Sequence, residues 1–281
     1  MTMKALFFGL VLAAGAHAET QTDIEYARAG ELVLKLDLHR PQAANPSLIV
    51  YVHGGAWRAG SKSDVPIASL LEMGFAIASV DYRLSTQAVF PAQIHDIKAA
   101  IRFLRAKASE YRLNTEKIAI IGSSAGGHLA ALVGVTNGHK VLEGRIGDHL
   151  DQSSRVDAIV SFYGASNLQS ILAQSTDFGR TVRIPALKLL LGDLPEKKPE
   201  LAKLASPVTH LDKADPPLLL IHGDADPQMP PEQSREFLSA CETLKLRAKL
   251  VTLPGSRHGG EEFYDAERSR LVAAFLNEAL K

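Results

Sequence analysis

Residues Gly122-Ser123-Ser124-Ala125-Gly126 set a G-x-S-x-G run between the apolar stretch Ile118-Ala119-Ile120-Ile121 and the alanine- and leucine-rich stretch His128 to Val133. A short apolar run bounded by glycine reads as a buried strand, and the segment that follows reads as a helix. The order strand, tight turn, helix is the geometry that lifts a serine hydroxyl to the end of a sheet as a nucleophile. The flanking glycines fit, because a strained turn needs neighbours without side chains. Two glycines and a serine at these offsets arise by chance in about one chain in ten of this size, so the surroundings decide.

Those surroundings alternate strand and helix. Strand-like runs are predicted at Leu48 to Val52, Ala76 to Val80, Ile118 to Ile121, Ala158 to Phe162, Leu218 to Ile221 and Ala248 to Leu253. Helical patterns separate them. One begins at Pro91, expected at the first helical position, and carries Ile94, Ile97, Ile101 and Leu104 on one face; others run through Glu232 to Leu244 and Asp265 to Leu280. Ile24 to Ala27 and Leu32 to Leu38 read as an antiparallel edge pair turning at Ala29-Gly30. The alternation predicts an α/β fold, a mostly parallel sheet with helices on both faces. Two stretches interrupt it: the polar segment Asn137 to Arg155, and Ser166 to Pro217, expected to be a small lid-like insertion over the carboxyl-end face of the sheet.

Three further segments carry chemistry at predicted strand ends. Leu218 to Ile221 runs into His222-Gly223-Asp224-Ala225-Asp226-Pro227, and Ala248 to Leu253 runs into Pro254-Gly255-Ser256-Arg257-His258. The candidates therefore follow in the order Ser124, Asp226, His258, which is the α/β-hydrolase order and unlike those of chymotrypsin or subtilisin. Asp224 is the competing acid; it directly follows the strand-end glycine and is expected to anchor the loop. Leu48 to Val52 leads into His53-Gly54-Gly55-Ala56-Trp57, the H-G-G-x type of loop whose amides face a developing oxyanion. The amides of Gly55 and Ala56, with that of Ala125 behind the nucleophile, are the expected donors. Trp57 and Tyr163 are expected to line the substrate pocket, and Phe90, Phe263 and Tyr264 divide evenly between pocket and core.

Composition agrees with one enzyme domain. The chain has 281 residues, 46% hydrophobic and 22% charged, with formal net charge zero. It shows no basic run or stripe of the kind that tracks nucleic acid; Lys197-Lys198 lies between Glu196 and Glu200 and reads as a solvated loop. No organic cofactor or metal is expected: His53, His128 and His222 match no metal-ligand spacing, and structural hydrogen bonding is their expected role. Lys4, the apolar run Ala5 to Ala14 and Ala16-His17-Ala18 describe a secretory signal peptide, too short in its apolar part to span a bilayer. The expected division is 1–18 leader and 19–281 catalytic domain, exported to a periplasmic or extracellular space. Cys241 is the single cysteine, so no disulfide forms within the chain, and its spacing with Phe237, Leu238 and Leu244 places it in a core stripe.

The motifs above, with Val80-Asp81-Tyr82-Arg83-Leu84, Leu150 to Val156, Phe162-Tyr163-Gly164 and Ala205-Ser206-Pro207, resemble the bifunctional feruloyl and acetyl xylan esterase group of the α/β-hydrolase superfamily from about Leu34 onward. The resemblance implies an α/β-hydrolase fold and a serine carboxylesterase that cleaves short-chain or carbohydrate-linked acetyl or feruloyl esters through an acyl-enzyme. It also suggests that Arg83 and Asp96 pair beneath the site. One departure is Pro227-Gln228-Met229-Pro230, where the group more often has valine before the last proline. Three other readings use parts of the same pattern. An arylformamidase shares the H-G-G-x-W loop, a prolyl-oligopeptidase-type peptidase needs a large extra domain, and a non-catalytic binding module typically lacks a triad member.

Overall fold

A computed structural model describes residues 18–281. The leader expected over 1–18 thus lies outside the described residues except for its last position. Strand β1 (Glu19–Ala29) turns at Gly30 into β2 (Leu32–Arg40), and these are followed by β3 (Ser47–Val52), β4 (Ala76–Val80), helix α1 (Ala92–Ala106), β5 (Asn114–Ser123) and α2 (Ala125–Gly134). A short α3 (Lys140–Glu143) leads to β6 (Ala158–Phe162). Helices α4 (Ile171–Gln174), α5 (Asp177–Leu191) and α6 (Pro199–Leu204) precede β7 (Leu218–Gly223), and α7 (Glu232–Thr243), β8 (Ala248–Leu253) and α8 (Ala266–Ala279) complete the chain. Every strand expected from the apolar runs is present. Pro91 sits one position before α1, with ψ 23° outside the helical region, so Ala92 opens the helix.

The eight strands form one sheet in the order β1-β2-β4-β3-β5-β6-β7-β8. β1 and β2 pair antiparallel, β2 meets β4 antiparallel, and every later pairing is parallel. The central strands are apolar throughout because both faces are covered: Leu48, Val50, Ile118 and Ile120 pack into one core layer, and Ile49, Tyr51, Ala119 and Ile121 into the other. Helix α1 lays Ile94, Ile97, Ile101 and Leu104 on the first of these layers, and Phe237 and Cys241 of α7 join it, as their spacing predicted. From β3 the chain steps outward to β4 and then returns to the other side of β3 as β5. Such a reversal opens a crevice at the carboxyl ends of the two strands, and the segments that follow β3 and β5 meet there.

The two interruptions have different structural roles. Segment 137–155 is pinned from below: the buried Lys98 ammonium of α1 donates to Glu143 Oε1 at 2.8 Å, and Ser154 Oγ donates to the same carboxylate. Segment 166–217 packs against loops at the carboxyl-end face. Thr176 Oγ donates to Pro227 O at 2.7 Å ahead of α5, and Phe90 N donates to Leu190 O at 2.8 Å at its other end. Lys197 and Lys198 are exposed, as expected of a solvated loop.

Candidate active site

Ser124 occupies the turn between β5 and α2 with φ 55° and ψ −117°, a conformation that costs a non-glycine residue of order 1–3 kcal/mol. Close packing holds it there. A Cβ on Gly126 would lie 2.0 Å from Val52 O, and one on Gly122 would lie 2.2 Å from Gly126 O. The motif glycines therefore serve close approach of α2 to the sheet, while the strained φ falls on the serine itself. The Ser124 amide donates to Phe162 O at 2.9 Å, fixing the turn to the end of β6.

Ser124 Oγ lies 2.9 Å from His258 Nε2, and His258 Nδ1 lies 2.6 Å from Asp226 Oδ2. Only Nδ1–H can donate to a carboxylate, so Nε2 carries the lone pair and accepts from the serine hydroxyl. The structure thus joins the three expected residues in one hydrogen-bonded line. Asp226 has further partners: the amides of Gln228 and Met229 each donate to Oδ1 at 2.8 Å, and His222 Nε2 lies 3.3 Å from Oδ2. Burial raises the Asp226 carboxyl, but the bonds from His222 and His258 and the amide of Met229 outweigh it and hold the group well below the usual carboxylate range. Asp224 does what its position suggested, accepting from Gly255 N at 2.7 Å and tying the loop after β7 to the loop after β8.

The loop after β3 turns through three consecutive left-handed residues, Gly55 (φ 102°), Ala56 (φ 52°) and Trp57 (φ 60°). Gly55 O accepts from Arg58 N and Ala59 N at 3.0 Å each. A Cβ at Gly55 would meet Ala59 O at 2.0 Å, so only glycine closes this turn. His53 supports it from beneath, donating Nδ1–H to Gly54 O at 2.8 Å and stacking on Tyr82 at 4.5 Å. Arg83 forms a bidentate pair with Asp96 at 2.8 and 2.6 Å, as the resemblance suggested. Gly55 and Ala56 line the same cleft as Ser124, and Ala125 opens α2, where a helix leaves its first amides without an intrahelical acceptor.

Trp57 does not line the pocket. Its ring turns under the loop, fully buried, and Nε1 donates to His128 Nδ1 at 3.1 Å. The indole N–H needs a buried acceptor, and His128 offers one because its Nε2–H donates to Ala205 O. Burial pushes the His128 imidazole down to about 4. Phe90 and Phe263 are core residues as well. Tyr163 and Tyr264 do reach the cleft, a space of about 480 Å³ whose other walls include Tyr51, Arg58, Asp64, Ser123, Gln228 and His258. The Tyr163 ring meets His258 edge-on at 4.8 Å. Tyr51, Arg58, Asp64 and Gln228 were not expected there; an apolar β3 run gives no sign that its tyrosine borders the cleft. Among the described residues, no group of three or more His, Cys, Asp and Glu is placed to hold a metal ion.

A mostly parallel sheet with serine after β5, acid after β7 and histidine after β8 defines an α/β-hydrolase. The chain belongs to the BD-FAE family, whose profile matches residues 36–241. That stretch carries Ser124 and Asp226 and stops short of His258, which the fold brings to them. Among solved structures, the chain is similar to a truncated carbohydrate esterase from gut microbiota, 33% identical with TM-score 0.85 over 95% of this chain and 98% of that one. It is also similar to the propionate-bound esterase Est2 of Thermogutta terrifontis, 27% identical with TM-score 0.74 over 94% of each chain. Esterase LipC of Mycobacterium tuberculosis is 30% identical over 82% of this chain. The chain spans 58% of that relative's length and 54–62% of the next two. No helix among the described residues is long and apolar enough to cross a membrane.

Proposed function

We propose that this protein is a serine carboxylesterase that hydrolyses short-chain or carbohydrate-linked acetyl or feruloyl esters. The observation that carries the reading is the line Ser124 Oγ to His258 Nε2 to Asp226 Oδ2, at 2.9 and 2.6 Å, opening on a cleft. His258 takes the Ser124 proton as Oγ attacks the ester carbonyl, and Asp226 offsets the imidazolium charge. The amides of Gly55, Ala56 and Ala125 donate to the oxyanion, each worth on the order of 3 kcal/mol. Collapse of the tetrahedral intermediate breaks the bond to the alcohol oxygen, which leaves with the proton held on His258. Water, deprotonated by His258, then attacks the acyl-enzyme and releases the acid and free Ser124.

The cleft lining supports an ester that carries further oxygens. Arg58, Asp64, Gln228 and three tyrosines line the cleft with Ser124, a wall that mixes polar groups with aromatic rings. The relatives named as esterases support ester hydrolysis, and the propionate held by the Thermogutta esterase supports a short acyl group. The test is a fluorophosphonate probe on wild type and Ser124→Ala, followed by acetylated xylan, methyl ferulate, N-formylkynurenine and nitrophenyl esters of increasing length. Labelling that needs Ser124 and highest turnover on short acyl esters are expected; a clear optimum at long chains, or a preference for the formamide over every ester, would refute the assignment. The leader reading belongs to the same proposal: the mature chain begins near Glu19 and is exported, and mass spectrometry of protein from the native host would contradict this by finding most molecules with an intact Met1 or Thr2.

A further inference from the structure

Four hydroxyl groups from separate parts of the chain meet beside the reacting serine. Tyr51 Oη, at the end of β3, lies 3.1 Å from Ser123 Oγ on β5. Ser123 Oγ lies 2.7 Å from Tyr264 Oη, ahead of α8, and Tyr264 Oη lies 2.5 Å from Tyr163 Oη, just after β6. All four residues line the cleft that holds Ser124 and His258. Tyr163 is held there with φ 40°, a left-handed conformation unfavourable to a bulky side chain, by its amide bond to Ile221 O at 2.8 Å. Its ring also meets His258 edge-on at 4.8 Å, which sets the cluster directly beside the reacting residues.

The chemistry of the cluster is that of an adaptable acceptor and donor. Each hydroxyl carries one proton and two lone pairs, so the links within the chain leave most of its acceptor capacity unused. Burial raises the phenols of Tyr51, Tyr163 and Tyr264 above their ordinary value, so each keeps its proton at neutral pH. Proton direction along a chain of hydroxyls can reverse, which lets the same wall donate to an ether or carbonyl oxygen or accept from an alcohol. A simple acyl group with a bare alkyl alcohol leaves these groups facing an apolar surface, at a desolvation cost. A substrate oxygen at the same place removes that cost.

We infer that the Tyr51–Ser123–Tyr264–Tyr163 cluster is a specificity element that binds a second oxygen of the substrate, a hydroxyl or ring oxygen close to the scissile ester. The inference deepens the esterase reading and rests on it. The recognised oxygen belongs either to the acyl group or to the alcohol, and two probes separate these sources: 4-nitrophenyl hydroxyacetate on the acyl side and a methyl mono-O-acetyl xyloside on the alcohol side, each referred to 4-nitrophenyl acetate. In Tyr264→Phe, which breaks the chain at its middle, the ratio of kcat/KM for one of these probes to that for 4-nitrophenyl acetate falls about tenfold, the worth of one hydrogen bond, mainly through KM. Tyr163→Phe, losing a terminal hydroxyl, lowers the same ratio by a smaller factor. Ratios within about twofold of wild type for both probes in both variants, in an enzyme whose turnover requires Ser124, would overturn the cluster's role alone. Full turnover in Ser124→Ala would remove the esterase reading and the inference with it.

Discussion

Replacing Asp226 with asparagine tests the assignment of the acid most directly. The two oxygens of Asp226 face different donors: Oδ1 accepts from the amides of Gln228 and Met229, and Oδ2 accepts from His258 Nδ1. An asparagine keeps its oxygen toward the two backbone amides, because the reverse orientation sets an NH₂ group against two N–H donors. Its NH₂ then faces His258 Nδ1, which must become an acceptor. The imidazole proton moves to Nε2 and points at Ser124 Oγ, where it blocks the uptake of the serine proton. The same exchange lowers turnover about 10⁴-fold in a serine protease. Here it is expected to cut kcat on nitrophenyl acetate by on the order of 10³ to 10⁴, or about 4–5 kcal/mol of transition-state stabilisation. Asp224→Asn keeps an oxygen for Gly255 N and is expected to lower thermal stability with a kinetic loss below about fivefold. Steady-state kinetics and circular dichroism on both variants decide. A folded Asp226→Asn enzyme with more than a tenth of wild-type kcat would refute the tautomer argument, and a folded, inactive Asp224→Asn would move the acid by two residues.

Other consequences follow from neighbouring contacts. Trp57→Phe removes the donor to buried His128 Nδ1 and should cost about 1–3 kcal/mol in chemical denaturation while leaving KM for short esters near wild type; a large rise in KM would return Trp57 to the pocket wall. Gly126→Ala sets a Cβ 2.0 Å from Val52 O, so a loss of about 3 kcal/mol, or roughly 10 °C in melting temperature, is expected, and an unchanged melting curve would contradict the close-approach account. His128, pushed down to about 4 by burial, stays neutral in the fold while an unfolded histidine takes a proton near pH 6.5. The folded state binds fewer protons, so stability falls as pH drops from about 6.5 toward 4, by roughly 3 kcal/mol; the depressed Asp226 carboxyl adds its own loss only below the unfolded carboxylate range. A denaturant midpoint that is flat between pH 7 and 4.5 would show that His128 is not held neutral.

Much of this was legible because it was local. Strand runs such as Leu48 to Val52 are apolar at every position and short, and every one expected is a strand. The G-x-S-x-G turn declares itself by its glycines, although their reason, the close approach of α2 to the sheet, comes from the structure. Trp57 was misplaced for the opposite reason. A loop of small residues followed by an aromatic gives no sign of which way the ring turns, and the acceptor that draws it inward, His128, lies on a different element. His222 was expected to make structural hydrogen bonds; its contact with Asp226, four residues on, needs the strand end and the loop to be placed together.

The sequence by itself determined the order of the strands and of helices α1, α2, α7 and α8, the sheet's two buried faces, and the three chemical groups at strand ends in the order Ser124, Asp226, His258. These rest on periodicity and turn chemistry, which are properties of neighbouring residues. Which oxygen of which aspartate meets His258, which side of the β3 loop faces the cleft, and the meeting of Tyr51, Ser123, Tyr163 and Tyr264 at one hydroxyl chain were decided only by the tertiary structure. Hydrogen bonds reach about 3 Å, and the chain brings groups from distant segments within that reach only once the parallel strands have set their carboxyl ends side by side.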